Sequence, residues 1–379
     1  MNGTTIDTSK YLDIWLLNVG HGDSVVLEHN DGTDRHFAVI DSNCRAGREP
    51  PALTKLRERD AKGLSFVALT HPHADHYLGL REILEWYDGS AVDLYTFPLK
   101  RYTHGRLKKL AATFRKVCER TDSPTVTRGV EEFVSFLVTA KNAFDGDHWT
   151  EPTGPWSVLA PTGFQGVEMA VLSPPSRVRG EWFQQIEHED LGIVENPKHN
   201  ELSLAFSVKY GGVQVVLGGD ATRSNWLYQK RFYSDRAGVP LLGAAAKLPH
   251  HGSKNNCTRD VLEHIFNTEK ACIALLSANG RSHPAPETYA LLAEMAIQPY
   301  CTNLASQCGA NIRELMVASE LDPVLRRLLN MHLVAGEGEN IQPCQGNVLF
   351  RIYSCGATEI RTQYEHLCPY RTGVSRIFQ

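Results

Sequence analysis

The chain has 379 residues, 42% of them hydrophobic and 22% charged, with a formal net charge of −4. This composition excludes a disordered or fibrous chain and supplies enough apolar side chain for a large core. The weak negative charge excludes a protein that coats nucleic acid with uniform positive potential, although a local basic groove remains compatible with it.

The opening residues lack a basic region followed by an apolar run, so no signal peptide is expected, and no stretch has the apolar length needed to cross a bilayer. The 9 cysteines are an odd number without a C-x-x-C pair. They fit small buried residues in a reducing, cytoplasmic compartment better than a disulfide framework or a zinc knuckle.

In chain order, residues 11–20, 23–29 and 36–41 read as strands separated by turn formers. Residues 65–70 form a continuous apolar run, as expected of a strand covered on both faces. Helical spacing follows at Leu78, Leu80, Ile83, Leu84 and Trp86. Residues 108–120 and 130–144 read as two amphipathic helices divided by Thr-Asp-Ser-Pro. Residues 167–174 read as a strand, and the polar stretch 177–200 as a long loop. Residues 201–208 and 213–220 form a hairpin turning at Tyr210-Gly211-Gly212. Helices (222–232, 258–266, 286–296) then alternate with strands (244–249, 271–278). Residues 305–340 read as mainly helical, and 346–364 as a closing hairpin. There is no internal repeat. The expectation is one domain over residues 1–379, with helical insertions near 100–150 and 305–340, because strand signals resume after each.

The chemistry concentrates at His71-Pro72-His73-Ala74-Asp75-His76, directly after the 65–70 run. Imidazole nitrogen and carboxylate oxygen suit zinc, manganese or iron. A strand ending in a loop can aim alternate side chains at one point, so His71 and His73 can share one ion while Asp75 and His76 hold a neighbour. Asp220 closes another apolar run after two glycines. It can bridge two ions or cap the following helix. The run from Lys247 through His250 and His251 to Ser253, and then His283, follow two further strands. Singly, each is an ordinary turn former or satisfied histidine; four strand-end positions of the same kind point to a metal centre.

The 71–76 motif resembles the signature of the metallo-β-lactamase superfamily. Further motifs resemble one branch of it, the hydrolase domain of the ComEC competence proteins. These are Asn18, Gly20, Gly22, Asp23 and Ser24; Asn200-Glu201-Leu202-Ser203-Leu204; Gly219-Asp220; Lys247 to Ser253; and His283 to Glu287. The resemblance covers roughly residues 12–300. The membrane-spanning part of those proteins has no counterpart here, and the helical segments look like additions.

The resemblance implies an α/β fold, the αββα sandwich, and one or two divalent ions, zinc or manganese. The implied ligands are His71, His73, Asp75, His76, Asp220 and His283, with His199 or Asn200 completing the first site. Asp75 would orient a nucleophile. His250 and His251 would donate a proton to a leaving group or add ligands. Lys247, Ser253 and Lys254 would hold a phosphate, unless the lysines are plain surface residues.

The implied activity is phosphodiester hydrolysis, with DNA or RNA as the leading substrate and no membrane partner. The basic segments 100–109 and 177–179 would contact the phosphate backbone, or else form solvated helix faces. The same fold supports lactonase or thioesterase chemistry. It also supports a non-catalytic metal-binding subunit with a protein partner in a bacterial defence or DNA-processing assembly.

Overall fold

Residues 64–69 contain no exposed position, because the two faces of this strand meet different cores. Leu64, Val67 and Leu69 pack among helices, whereas Phe66 and Ala68 face a second sheet. A strand walled on both sides carries apolar residues at every position instead of alternating, and that produces the continuous run in the sequence. The computed structural model describes residues 7–88, 90–99, 124–144, 147–187, 199–236, 241–279, 283–305, 344–364 and 370.

The strands are β1 (Lys10–Leu16), β2 (Val25–Asp31), β3 (Arg35–Ile40), β4 (Leu64–Leu69), β5 (Ala91–Thr96), β6 (Trp149–Thr150), β7 (Ser157–Leu159), β8 (Glu168–Ser173), β9 (Ala205–Tyr210), β10 (Val213–Leu217), β11 (Ala245–Lys247), β12 (Cys272–Leu276), β13 (Ile297–Cys301), β14 (Val348–Tyr353) and β15 (Thr358–Thr362). They form two sheets, ordered β15-β14-β1-β2-β3-β4-β5-β6 and β13-β12-β11-β10-β9-β8-β7. The sheets face each other across a core that includes Leu12, Ile14, Phe66, Phe206, Leu275 and Phe350. Helices cover both outer faces, giving four layers: helices, sheet, sheet, helices.

The closing hairpin is present. β14 pairs antiparallel with β1 and with β15, so the C-terminal strands extend the first sheet beside its N-terminal strand. The turn at Gly211-Gly212 joins antiparallel β9 and β10 as expected. Among the described residues, no helix is long and apolar enough to cross a membrane. Cys44, Cys257, Cys272, Cys301 and Cys344 are buried, and Cys355 is exposed.

Three expectations change. The helical segment after His76 is broken into Ala74–Tyr77 and Leu80–Trp86, because Gly79 takes φ +99°. A Cβ at Gly79 would meet Pro50 Cγ at 2.8 Å, so glycine lets the chain turn hard against that neighbour. The polar stretch expected as a loop contains the helix Ser176–Glu187. Val178 and Trp182, four apart, are buried on one face of it, and that spacing is a faint periodic signal in a polar run. Finally, the helix expected at 130–144 begins at Pro124, within the segment read as a divider. Proline suits a first helical turn, where its missing N–H has no partner to lose. Residues 100–123, with the other expected helix and the basic segment 100–109, lie outside the described residues, as does most of 305–340.

Candidate metal centre

Parallel neighbours in a sheet deliver their C-terminal ends to the same rim, and ligands gather there. In the first sheet β3, β4 and β5 run parallel, and in the second β10, β11, β12 and β13 do. His71 follows β4, Asp220 follows β10, His250 and His251 follow β11, and His283 follows β12. The two rims meet, so side chains up to about two hundred positions apart in the chain converge.

The brace of the first rim is Asp41, at the end of β3. Its carboxylate accepts from Thr70 N at 2.8 Å and Thr70 Oγ1 at 2.6 Å. It also stands 2.7 Å from His76 Nδ1. In the second rim, Asp220 N donates to Ser203 Oγ at 2.8 Å, which explains why a serine sits in the Asn200–Leu204 motif. His250 and His251 both take positive φ, 47° and 52°. Such strain in non-glycine residues persists only where surrounding structure enforces it, and it gathers at functional sites.

The donors face one another. Asp220 Oδ2 lies 3.9 Å from His71 Nε2 and 3.6 Å from His251 Nε2, and its Oδ1 lies 3.7 Å from His76 Nε2. Asp75 Oδ2 lies 3.6 Å from His76 Nε2 and 3.5 Å from His251 Nε2. His71 Nε2, His76 Nε2, His251 Nε2 and Asp220 Oδ1 are buried and make no hydrogen bond. Orphaned buried polar atoms are costly, and here all four aim into one space. Imidazole nitrogens and carboxylate oxygens arranged in this way fit a divalent ion.

The electrostatics agree with that fit. Burial, and then the neighbouring His76 and His73, hold His71 well below its ordinary pKa, in the neutral form that binds metal. Burial likewise lowers His73. At His251 burial opposes the charge, but the carboxylates of Asp220 and Asp23 outweigh it and raise the pKa to about 9. Burial would raise Asp75 and Asp220; the facing imidazoles keep both well below the usual carboxylate range. Buried carboxylates that draw protons onto imidazoles form a site built for positive charge.

The expected residues are placed as follows. His71, His76 and Asp220 form one group of mutually close donors, Asp75 and His251 belong to a second with His21, and Asp220 also meets His251 beside Asp23; His73 stands beside His71 at a ring distance of 4.5 Å. His199 rather than Asn200 faces that side: its ring is 5.5 Å from His73 and edge-on to Trp182, whereas the Asn200 amide lies 3.2 Å from His250 Nδ1. His283 is drawn to the same region but stands further out, its ring 5.4 Å from His250 and 6.4 Å from His251.

Lys247 departs from both of its expected roles. It is neither a surface residue nor open to an incoming phosphate. Its side chain is 2% exposed, and its ammonium donates to Gly219 O and touches the Asp23 carboxylate. Ser253 is buried as well. Lys254 reaches the surface, where it pairs with Glu287 at 2.9 Å. Arg177 and Arg179, expected to touch a phosphate backbone, lie 3.8 Å from Glu181 and 3.4 Å from Glu151.

Three residues of the centre had no role assigned from sequence: His21 and Asp41, and Asp23, which was noted only within the Asn18–Ser24 motif. His21 Nε2 is 3.2 Å from Asp75 Oδ2, and Asp23 Oδ1 is 3.3 Å from His251 Nδ1. Asp41 carried the signal that singled out Asp220, an apolar strand ending in aspartate.

The layered architecture is that of the metallo-β-lactamase fold. Residues 17–92 match the family model of the metallo-beta-lactamase superfamily. No curated protein matches the chain. Among solved structures, a mutant of the CmlA beta-hydroxylase is similar at 11% identity and a TM-score of 0.40, over 77% of this chain and 52% of that one. A metallo-beta-lactamase from Staphylococcus aureus subsp. aureus COL is similar at 12% identity and a TM-score of 0.29, over 78% of this chain and 56% of that one. A protein of unknown function from Enterococcus faecalis V583 gives 11% identity and a TM-score of 0.30, over 78% and 71%. The chain thus spans little more than half the length of the first two.

Proposed function

We propose that this protein is a metal-dependent hydrolase whose substrate is a phosphodiester, with DNA or RNA as the leading class. The observation that carries the hydrolase reading is the convergence of the unbonded buried atoms of His71, His76, His251 and Asp220 on one space beside Asp75. The phosphodiester part rests on the order of motifs, from Asn18 through His283, which resembles that of the ComEC hydrolase domain.

In this reading His71, His73, His199 and Asp220 would hold one divalent ion, zinc or manganese, and Asp75, His76, His251 and Asp220 would hold a second. Such ions lower the pKa of bound water and neutralise charge on a phosphoryl oxygen. The chain's own groups do the rest. Asp75, the carboxylate nearest solvent, accepts a hydrogen bond from the attacking water and orients it. His251 would act as a ligand: its Nδ1 lies 3.3 Å from Asp23 Oδ1, and its Nε2 faces Asp75 and Asp220. His250 is the donor toward the leaving group. Amide nitrogens of Asn256 at 2.7 Å and Asn200 at 3.2 Å face its Nδ1. As donors they require a lone pair there, which puts the ring proton on Nε2. The odd number of cysteines without a C-x-x-C pair accords with a reducing, cytoplasmic setting.

The test is metal analysis of the purified protein, followed by turnover of nucleic acids, cyclic nucleotides, lactones and thioesters with zinc or manganese. Phosphodiester cleavage abolished by Asp75→Ala supports the proposal. Turnover confined to lactones or thioesters replaces the substrate class and keeps the centre. Metal-free protein that takes up neither ion overturns the hydrolase reading and favours a binding role in a larger assembly.

A further inference from the structure

We propose that His21 is an additional ligand of the ion held by Asp75, His76 and His251, reaching it from the solvent side. The proposal rests on the metal-centre reading above.

Three observations point to it. First, the spacing is that of donors sharing an ion. His21 Nε2 lies 3.2 Å from Asp75 Oδ2, and Asp75 Oδ2 lies 3.5 Å from His251 Nε2 and 3.6 Å from His76 Nε2. Two donors each about 2.1 Å from a tetrahedral ion stand about 3.4 Å apart. Of the three imidazoles around Asp75, His21 is the nearest.

Second, the position of His21 is built. The backbone on both sides of it is fixed to the ligand loop. Asp23 N donates to Asp75 O at 3.2 Å, and the Asn43 side-chain amide donates to the His21 carbonyl. Gly22 has φ +111°, and a Cβ there would lie 2.2 Å from Asp75 O. Only glycine allows the two loops to approach this closely. The single segment 20–23 thus brings two side chains to the centre: Asp23 from within, against Lys247, and His21 from without.

Third, His21 stands at the mouth. Its side chain is 47% exposed, while that of His251, on which its ring sits edge-on at 5.6 Å, is 1% exposed. A catalytic ion keeps one coordination position for water or substrate. His21 stands on the solvent-facing side of the cluster, from which its imidazole would add a nitrogen donor to the ion.

The test uses cobalt(II) as a spectroscopic probe. Chelator-stripped full-length protein, wild type, His21→Ala and His21→Gln, is titrated with cobalt(II), and the affinity and visible absorption of each equivalent are recorded. The expected result is that both variants weaken one equivalent roughly tenfold to a hundredfold and change its absorption band. Urea unfolding of the stripped proteins should stay unchanged, because an exposed side chain contributes little to folding. Uptake by His21→Ala with wild-type affinity and spectrum overturns the role of His21 while leaving the centre standing. Wild-type protein that binds no cobalt overturns the centre itself.

Discussion

His76 Nδ1 stands 2.7 Å from Asp41 Oδ2, deep in the rim of the first sheet, and this contact turns Nε2 of the same ring toward Asp75 and Asp220. A carboxylate behind a metal-binding histidine fixes its tautomer and raises its basicity. Asp41→Ala removes that partner and both bonds to Thr70. Metal affinity, measured by competition with a chelator, should fall about tenfold to a hundredfold. Asp41→Asn keeps an acceptor oxygen and should lose less. Equal affinity in all three proteins would show that the contact does no positioning.

Lys247 and Asp23 touch inside the wall of the centre with side chains 2% and 3% exposed. Removing one partner of a buried pair strands the other charge, typically at about 3–5 kcal/mol. Lys247→Met should therefore lower the urea stability of chelator-treated protein by about that amount. Lys247→Met combined with Asp23→Leu should regain most of it, since a buried pair replaced by apolar residues is often neutral. A double variant no better than the single one would rule out charge stranding as the cause.

Gly22→Ala would force a side chain into φ +111° and onto Asp75 O. Residues held in such regions carry about 1–3 kcal/mol of strain. The clash also pushes the 20–23 loop off the ligand loop. Stability should drop by at least this strain, and the ion beside Asp75 should bind more weakly while that beside His71 is retained. Calorimetric titration with zinc separates the two; uniform weakening of both would count against a local displacement.

His264 is buried away from the centre, with Nε2 3.0 Å from Gln229 Oε1. Burial, aided by Lys230, lowers its pKa from 6.5 to about 4. The folded chain therefore prefers the neutral ring. Its contribution to stability is intact above pH 6.5 and is lost as pH falls toward 4. The loss reaches at most about 3 kcal/mol. His264→Gln does not titrate, so the gap between variant and wild type should close as the pH of urea unfolding is lowered from 7 to 4.5. A gap independent of pH would mean that the ring does not titrate in this window.

The short-range features were legible in the sequence because short-range physics produces them. A strand buried on both faces must be apolar throughout, so β4 stood out, and the donors at 71, 73, 75 and 76 followed within one turn of it. Strand-end residues at 220, 250 and 251 were legible for the same reason. The helix at 176–187 was obscured because the many polar residues of 177–200 outweighed the four-residue spacing of Val178 and Trp182.

Tertiary structure alone decided which groups meet across the two rims. Lys247 was expected to hold a phosphate or else lie at the surface and is instead buried, because the carboxylates of Asp23 and Asp220 stabilise its charge there. His199 was separated from Asn200 only by the ring of His73 that it faces. His21 gained significance only when Gly22 brought its loop against Asp75. A side chain's charge state and partners are set by whatever stands within a few ångströms, and across two packed sheets those neighbours come from remote parts of the chain.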